Sequence, residues 1–182
     1  AHYYHPASEL AGDYLSVRKL ENGNIALISV DVSGHGITAA LYAFSIHALL
    51  EDKLLNDNPA GKVLEIINNK LNVLMQHGKF ATMFLGIINP DKSTLSYAAA
   101  AAPEVVMQTK DGSTILDTRG YLLGTLKDAV YETIEVKFAK DDILFLYSDA
   151  LIETPASSGN FMDISEINKV IDEHFNDQPS VI

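Results

Sequence analysis

The chain reads as an α+β protein built on antiparallel sheets. Three observations lead there. Short apolar runs of β type dominate the sequence, tight turns such as Glu21–Asn24 join them, and the helical segments stand apart from the strands instead of alternating with them. A regular strand–helix alternation would indicate a doubly wound parallel sheet, whereas segregated runs indicate antiparallel sheets with helices set to the side.

In order, "YLSVRKLENGNIALISVDV" alternates in polarity around an Asn-Gly turn and reads as a β-hairpin. Gly36 to Leu55 is apolar at helical spacing, with Ala39, Ala40, Tyr42, Ala43, Ile46, Leu49 and Leu50. This very apolar helix is expected to pack in the core. "NDNPAG" breaks it. Residues 60–77 give a second helix with Val63, Ile66, Ile67, Leu71 and Leu74 on one face. From residue 80 short strands follow, separated by "DKS", "AP" and "KDGS". "YETIEVKF" and "DILFLYSD" are expected to pair across "AKDD", with Asp141 and Asp142 in the turn. "FMDISEINKVIDEHF" reads as a C-terminal helix with Ile164, Ile167, Val170 and Ile171 on its apolar side, and "SVI" as the start of a last strand. No internal repeat interrupts this order.

The length, 182 residues, fits one domain. A chain opening on "AHYYHPASELAGD", with no initiating Met, is expected to be a domain excised from a longer regulatory protein. Apolar residues are 47% and charged ones 20%, so a packed core is affordable and disorder is not expected. Without cysteine there is no disulfide, no thiolate nucleophile and no cysteine zinc site, in keeping with a reducing, cytoplasmic setting. No membrane span or signal peptide is visible. The formal charge is −11 with two arginines, Arg18 and Arg119, and no basic cluster, which argues against nucleic-acid binding. A phosphorylated substrate would also be repelled at long range unless a divalent cation reversed the local field.

Four aspartates are expected at strand ends beside turns: Asp13 opening the first hairpin strand, Asp31 ending the second, Asp149 ending "ILFLYSD", and Asp177 before "SVI". Two carboxylates about 4 Å apart repel by roughly 4 kcal/mol at an effective dielectric near 20. A gathered set of them calls for hard cations such as Mg²⁺ or Mn²⁺. Aspartate is also an ordinary turn and helix-start residue, and spacing along the chain does not by itself bring the four together.

"AGDYL", "DVSGHG", "FATMFLGIINPDKSTLSYAAAAAPEVV", "YLLGT", "DILFLYSDALIE" and "DQPSVI" occur in the order found in the metal-dependent protein phosphatases (PPM, or protein phosphatase 2C-like). The chain most resembles their bacterial SpoIIE/RsbU-like branch, from about residue 5 to the end. The resemblance implies a β-sandwich of two antiparallel sheets flanked by α-helices, in α-β-β-α layers, and a centre of two Mn²⁺ or Mg²⁺ ions. On the matching positions it implies Asp13, Asp31, Asp149 and Asp177 as metal ligands, with the Val32 carbonyl beside Asp31. Asp13, Asp31 and Asp149 would be the catalytic set, and Asp31 the ligand shared by both ions. It further implies that Gly34 and Gly36 let the turn after Asp31 fold closely around the ions.

The chain departs from the family pattern at four places. Ala11 replaces the first glycine of Gly-Gly-Asp, Ala150 the glycine after Asp149, Gln178 an acid or asparagine, and "AAAAAP" lacks a Gly-His before Pro103. Among the histidines, His35 in "SGHG" is either a proton donor or a packed turn residue, and Ser33 holds the place of the family's acid-like histidine. His2 and His5 read as a chain-end segment, His47 as a helix-face residue, and Glu153 as a turn cap.

The expected activity is hydrolysis of phosphoserine or phosphothreonine on a regulatory protein by a water that two metals activate. By resemblance the substrate is a STAS-type anti-sigma-factor antagonist, and a sensory or receiver domain stands upstream. The rival expectation, motivated by Ala150 and the altered Gly-His, is a weak or inactive relative acting as a protein-binding adaptor in sigma-factor or response-regulator signalling. The region 36–55 is expected to couple to upstream regulatory segments.

Overall fold

The computed structural model describes residues 11–76, 78–153, 155 and 161–174. They form two compact units, one from 11–102 with 118–140 and the other from 103–117 with 141–174.

The larger unit carries a five-stranded antiparallel sheet. Its strands are β1 (Tyr14–Lys19), β2 (Ile25–Val32), β3 (Ala81–Asn89), β4 (Thr94–Ala100) and β7 (Ile134–Lys137), in spatial order β1-β2-β3-β4-β7. The first hairpin closes as its sequence dictates: Gly23 takes a φ of 85°, and Leu20 and Asn24 pair across the turn.

Strand alternation then sorts the side chains. Ala26, Ile28, Val30 and Val32 of β2 share a face with Met83 and Leu85 of β3 and with Ala98 and Ala100 of β4. That face forms one apolar cluster with α1 (Ile37–Leu49) and α3 (Ala60–Leu74), through Ala39, Ala43 and Ile46 on α1 and Val63, Leu64, Ile67 and Leu71 on α3. The opposite face carries Leu27, Phe84, Tyr97 and Ala99, also buried, with the Phe84 and Tyr97 rings stacked at 5.5 Å.

The helix expected over 36–55 is two helices. Leu50 leaves helical geometry, Glu51 is extended, and α2 (Asp52–Asp57) begins anew. Arg18 on β1 fastens the break, donating to the Leu50 carbonyl at 2.7 Å and pairing with Asp52 at 3.6 Å. Nor is α1 wholly core, since Ile37, Leu41 and Phe44 lie exposed on its outer side. The second helix stops at Leu74, leaving Leu74 exposed, and Leu64 takes the buried place on the stripe.

The smaller unit holds β5 (Val105–Thr109), β6 (Gly112–Leu116) and β8 (Ile143–Phe145) in order β6-β5-β8, with α4 (Ala150–Glu153) and α5 (Ile164–Glu173). The expected pairing across "AKDD" does not form. β7 pairs with β4 and β8 with β5, so Asp141 sits in a connection between two sheets rather than in a hairpin. The stretch is too short to encode which longer-range partner each strand takes. Helix α5 begins at a capping box: Asp163 accepts from the Ser165 and Glu166 amides, and Glu166 reaches back to the Asp163 amide. The expected last strand lies outside the described residues. No described helix is long and apolar enough to cross a membrane.

Candidate active site

One end of the larger sheet gathers the first of the candidate residues. The β1–β2 ladder begins with Tyr14 paired to Val30, so Asp13 immediately precedes β1 at the sheet end where Asp31 follows Val30 on β2. Asp31 pairs with Thr82 and stands on the face of Ser29 and Phe84, away from the helices. Asp13 is exposed and Asp31 half-buried.

Beside them the backbone closes in. A β-carbon on Gly12 would lie 2.8 Å from the Val32 carbonyl oxygen and 3.1 Å from the Ala39 β-carbon, so only glycine fits there. The approach holds the loop bearing Asp13 against the Val32 carbonyl. After Val32 the chain turns through Gly34 and Gly36, at φ 96° and 74°, as the glycine spacing predicts. His35 stands exposed between them.

The turn is tied to the start of β3. The Ser33 amide donates to the Phe80 carbonyl at 2.9 Å, and the Phe80 amide donates to Ser33 Oγ at 3.0 Å. Lys79 Nζ reaches the Ser33 carbonyl at 3.5 Å and lies 2.8 Å from where a Gly34 β-carbon would be. On the other side of β3, Ala81 and Leu123 exchange backbone hydrogen bonds at 3.1 and 2.9 Å, bringing "YLLGT" alongside. Buried Asn68 of α3 holds that segment, accepting from the Gly124 amide at 2.9 Å and donating to the Leu126 carbonyl at 2.8 Å. At the outer edge, His47 Nδ1 and the Tyr14 hydroxyl are 2.7 Å apart, joining α1 to the residue after Asp13.

Asp149 belongs to the smaller unit, and its position corrects an expectation. β8 ends at Phe145, and Asp149 instead immediately precedes the short helix α4, its carbonyl accepting from the Ile152 and Glu153 amides at 2.9 and 2.8 Å. Glu153 closes α4. Ala150 is the first residue of that helix and is absent from the described residues with positive φ, so alanine is unstrained there. Ala101, which precedes Pro103 where the family pattern has glycine, does take a left-handed φ of 50°. Nearby, the Tyr147 hydroxyl donates to Glu104 at 3.3 Å, and burial, reinforced by that carboxylate, pushes its pKa up to about 12.

Asp177, Gln178, His2 and His5 lie outside the described residues. Among the described residues no three His, Asp or Glu side chains gather as a metal set. Asp13 and Asp31, next in sequence to the touching Gly12 and Val32, offer with the Val32 carbonyl hard oxygen donors of the kind Mg²⁺ or Mn²⁺ takes. The donor chemistry therefore fits the implied ions. Two residues escaped the sequence reading. Asn68 leaves a trace, a polar residue on the Leu64–Leu71 stripe, whereas nothing in "HGKF" marks Lys79.

Comparison with known proteins gives the family and the fold. The family model of Stage II sporulation protein E (SpoIIE) matches residues 21–182. Phosphoserine phosphatase RsbU of Bacillus subtilis (strain 168) is 31% identical over 172 residues, 93% of this chain and 50% of the relative. Phosphoserine phosphatase RsbP of the same organism is 26% identical over 160 residues, 85% of this chain and 40% of the relative. The chain thus spans about half the length or less of these two curated relatives. The SiaA-PP2C domain of Pseudomonas aeruginosa superposes with a TM-score of 0.79 at 17% identity, over 93% of this chain and 68% of that one, which speaks for the fold. The chain belongs to the SpoIIE family, the SpoIIE/RsbU-like branch of the PPM protein phosphatases.

Proposed function

We propose that this chain is the catalytic domain, over positions 1–182, of a protein serine/threonine phosphatase dependent on two Mn²⁺ or Mg²⁺ ions. The observation that carries the reading is the close approach of Gly12, next to Asp13, to the carbonyl of Val32, next to Asp31. Asp13, Asp31, Asp149 and Asp177 would hold the ions with the Val32 carbonyl. Bound there, the ions would lower the pKa of water and neutralise the phosphoryl oxygens.

The chain's own groups do the rest. Asp31 and Asp13 would supply negative charge at one end of the larger sheet, where the Gly12 approach to the Val32 carbonyl fixes the backbone beside them. The glycine turn after Asp31 brings backbone rather than bulky side chains to the place where a phosphorylated side chain must enter. The rival adaptor reading gains nothing from Ala150, which begins a helix without strain.

The proposed substrate is a phosphoserine on a regulatory protein of the STAS-type anti-sigma-factor antagonist kind. Two relatives carry the name phosphoserine phosphatase, which supports phosphoserine as the target. The proposed setting is cytoplasmic, beneath an upstream sensory or receiver domain, with neither nucleic acid nor membrane as partner. The test is hydrolysis of a phosphoserine peptide and of p-nitrophenyl phosphate with and without Mn²⁺. Mn²⁺-dependent release of phosphate, abolished in Asp31→Ala, is expected. No turnover with Mn²⁺, or full turnover in the variant, overturns the reading.

A further inference from the structure

We infer that Lys79 is the residue of this chain that receives the substrate's phosphoryl group, an inference that rests on the phosphatase reading above. The chain carries a formal charge of −11, and the proposed centre is made of carboxylates. A phosphorylated side chain is a dianion near neutral pH. Its recognition calls for a cation beside the ligands, at a position fixed by the fold.

Lys79 meets both conditions. Its backbone lies directly before Phe80, which is bonded twice to Ser33, and Ser33 is two residues beyond Asp31. The β2–β3 ladder begins at the next step, with Val32 opposite Ala81 and Asp31 opposite Thr82. The lysine therefore enters at the same sheet end as Asp31, held by main-chain bonds. Its ammonium folds over the glycine turn, 3.5 Å from the Ser33 carbonyl. That contact engages one of the three N–H donors of an ammonium at the long limit of a hydrogen bond. The others can serve an incoming anion. Glycine at position 34 keeps the space: any β-carbon there would stand 2.8 Å from Nζ. Lys79 is half-buried, so its charge is less screened than that of a free surface lysine.

The experiment compares wild type, Lys79→Met and Lys79→Arg by steady-state kinetics on a phosphoserine peptide, by inhibition with inorganic phosphate, and by Mn²⁺ calorimetry and thermal melting. In Lys79→Met the KM and the phosphate inhibition constant are expected to rise about tenfold to a hundredfold, the size of one lost charge-assisted hydrogen bond. Mn²⁺ affinity and melting temperature stay at wild-type values, and Lys79→Arg recovers most of the loss. Unchanged KM and phosphate inhibition in Lys79→Met overturn the inference while leaving the phosphatase reading intact. Parallel losses of Mn²⁺ affinity or melting temperature overturn it in favour of a structural clamp on the turn. A wild-type protein without turnover overturns both.

Discussion

Gly12 approaches Val32 so closely that a β-carbon on the first residue would stand 2.8 Å from the carbonyl oxygen of the second. The obstacle is backbone, held in the β2–β3 ladder, and the Ala39 β-carbon closes the other side at 3.1 Å. Gly12→Ala is therefore expected to destabilise by about 1–3 kcal/mol, as overpacking does. It should also weaken Mn²⁺ binding, because the strand bearing Asp13 must back away from Val32. Urea titration and calorimetry check this, and a variant with wild-type stability and Mn²⁺ affinity would contradict it.

The placing of Asp13 and Asp31 beside the touching Gly12 and Val32 predicts a metal-dependent stability. Saturating wild type with Mn²⁺ at about a hundred times its dissociation constant should add about 2.7 kcal/mol. Asp31→Asn should lose most of that increment. Paired thermal melts with and without Mn²⁺ make the measurement, and equal increments in both proteins would dissociate Asp31 from the ions.

Asn68 is fully buried, and its amide serves Gly124 and Leu126 at once. Asn68→Leu keeps the branched shape but removes both hydrogen bonds to the half-buried Gly124 and the exposed Leu126. A loss of about 1–3 kcal/mol is expected from two lost hydrogen bonds. Hydrogen exchange at the Gly124 amide should accelerate with it, and unchanged protection there would refute the clamp.

Ala101 holds a φ of 50°, in the region where a β-carbon is unfavourable. Ala101→Gly is expected to stabilise by about 0.5–1 kcal/mol once the added freedom of the unfolded chain is offset. For a chain of this size that raises the melting temperature by roughly 2–4 °C per kcal/mol. A lower melting temperature would show that the left-handed conformation carries no strain.

Asp163 caps α5, and its hydrogen bonds, first to Ser165 and then to the Glu166 amide, hold its pKa below the usual carboxylate value. A lowered folded pKa means the capping contribution is present above the unfolded pKa and fades as pH falls through the folded one. Between about pH 5 and about pH 3, wild type should lose more stability than Asp163→Asn, whose amide caps without titrating. Identical acid profiles would remove Asp163 as the titrating group.

The elements themselves were largely legible. Local polarity periods and turn residues specified the first hairpin, α3, β3, β4 and the Asp163-capped α5, because each depends on side chains close in sequence. The split of the 36–55 helix was not legible, since it depends on Arg18 reaching Leu50 from a different strand. The partners of β7 and β8 were hidden for a similar reason. Two short runs beside a turn look like a hairpin until distant β4 and β5 compete for them.

The candidate site divides the same way. The sequence alone determined that carboxylates stand beside glycine turns, among them the turn of Gly34 and Gly36 after Asp31. The tertiary structure decided that Gly12 meets Val32 and that Lys79 lies over the turn. It also decided that Asp149 leads into a helix rather than ending a strand. The physical reason is that conformational preference is local, whereas the placing of one charge against another is set by strand register and packing among residues far apart in the chain.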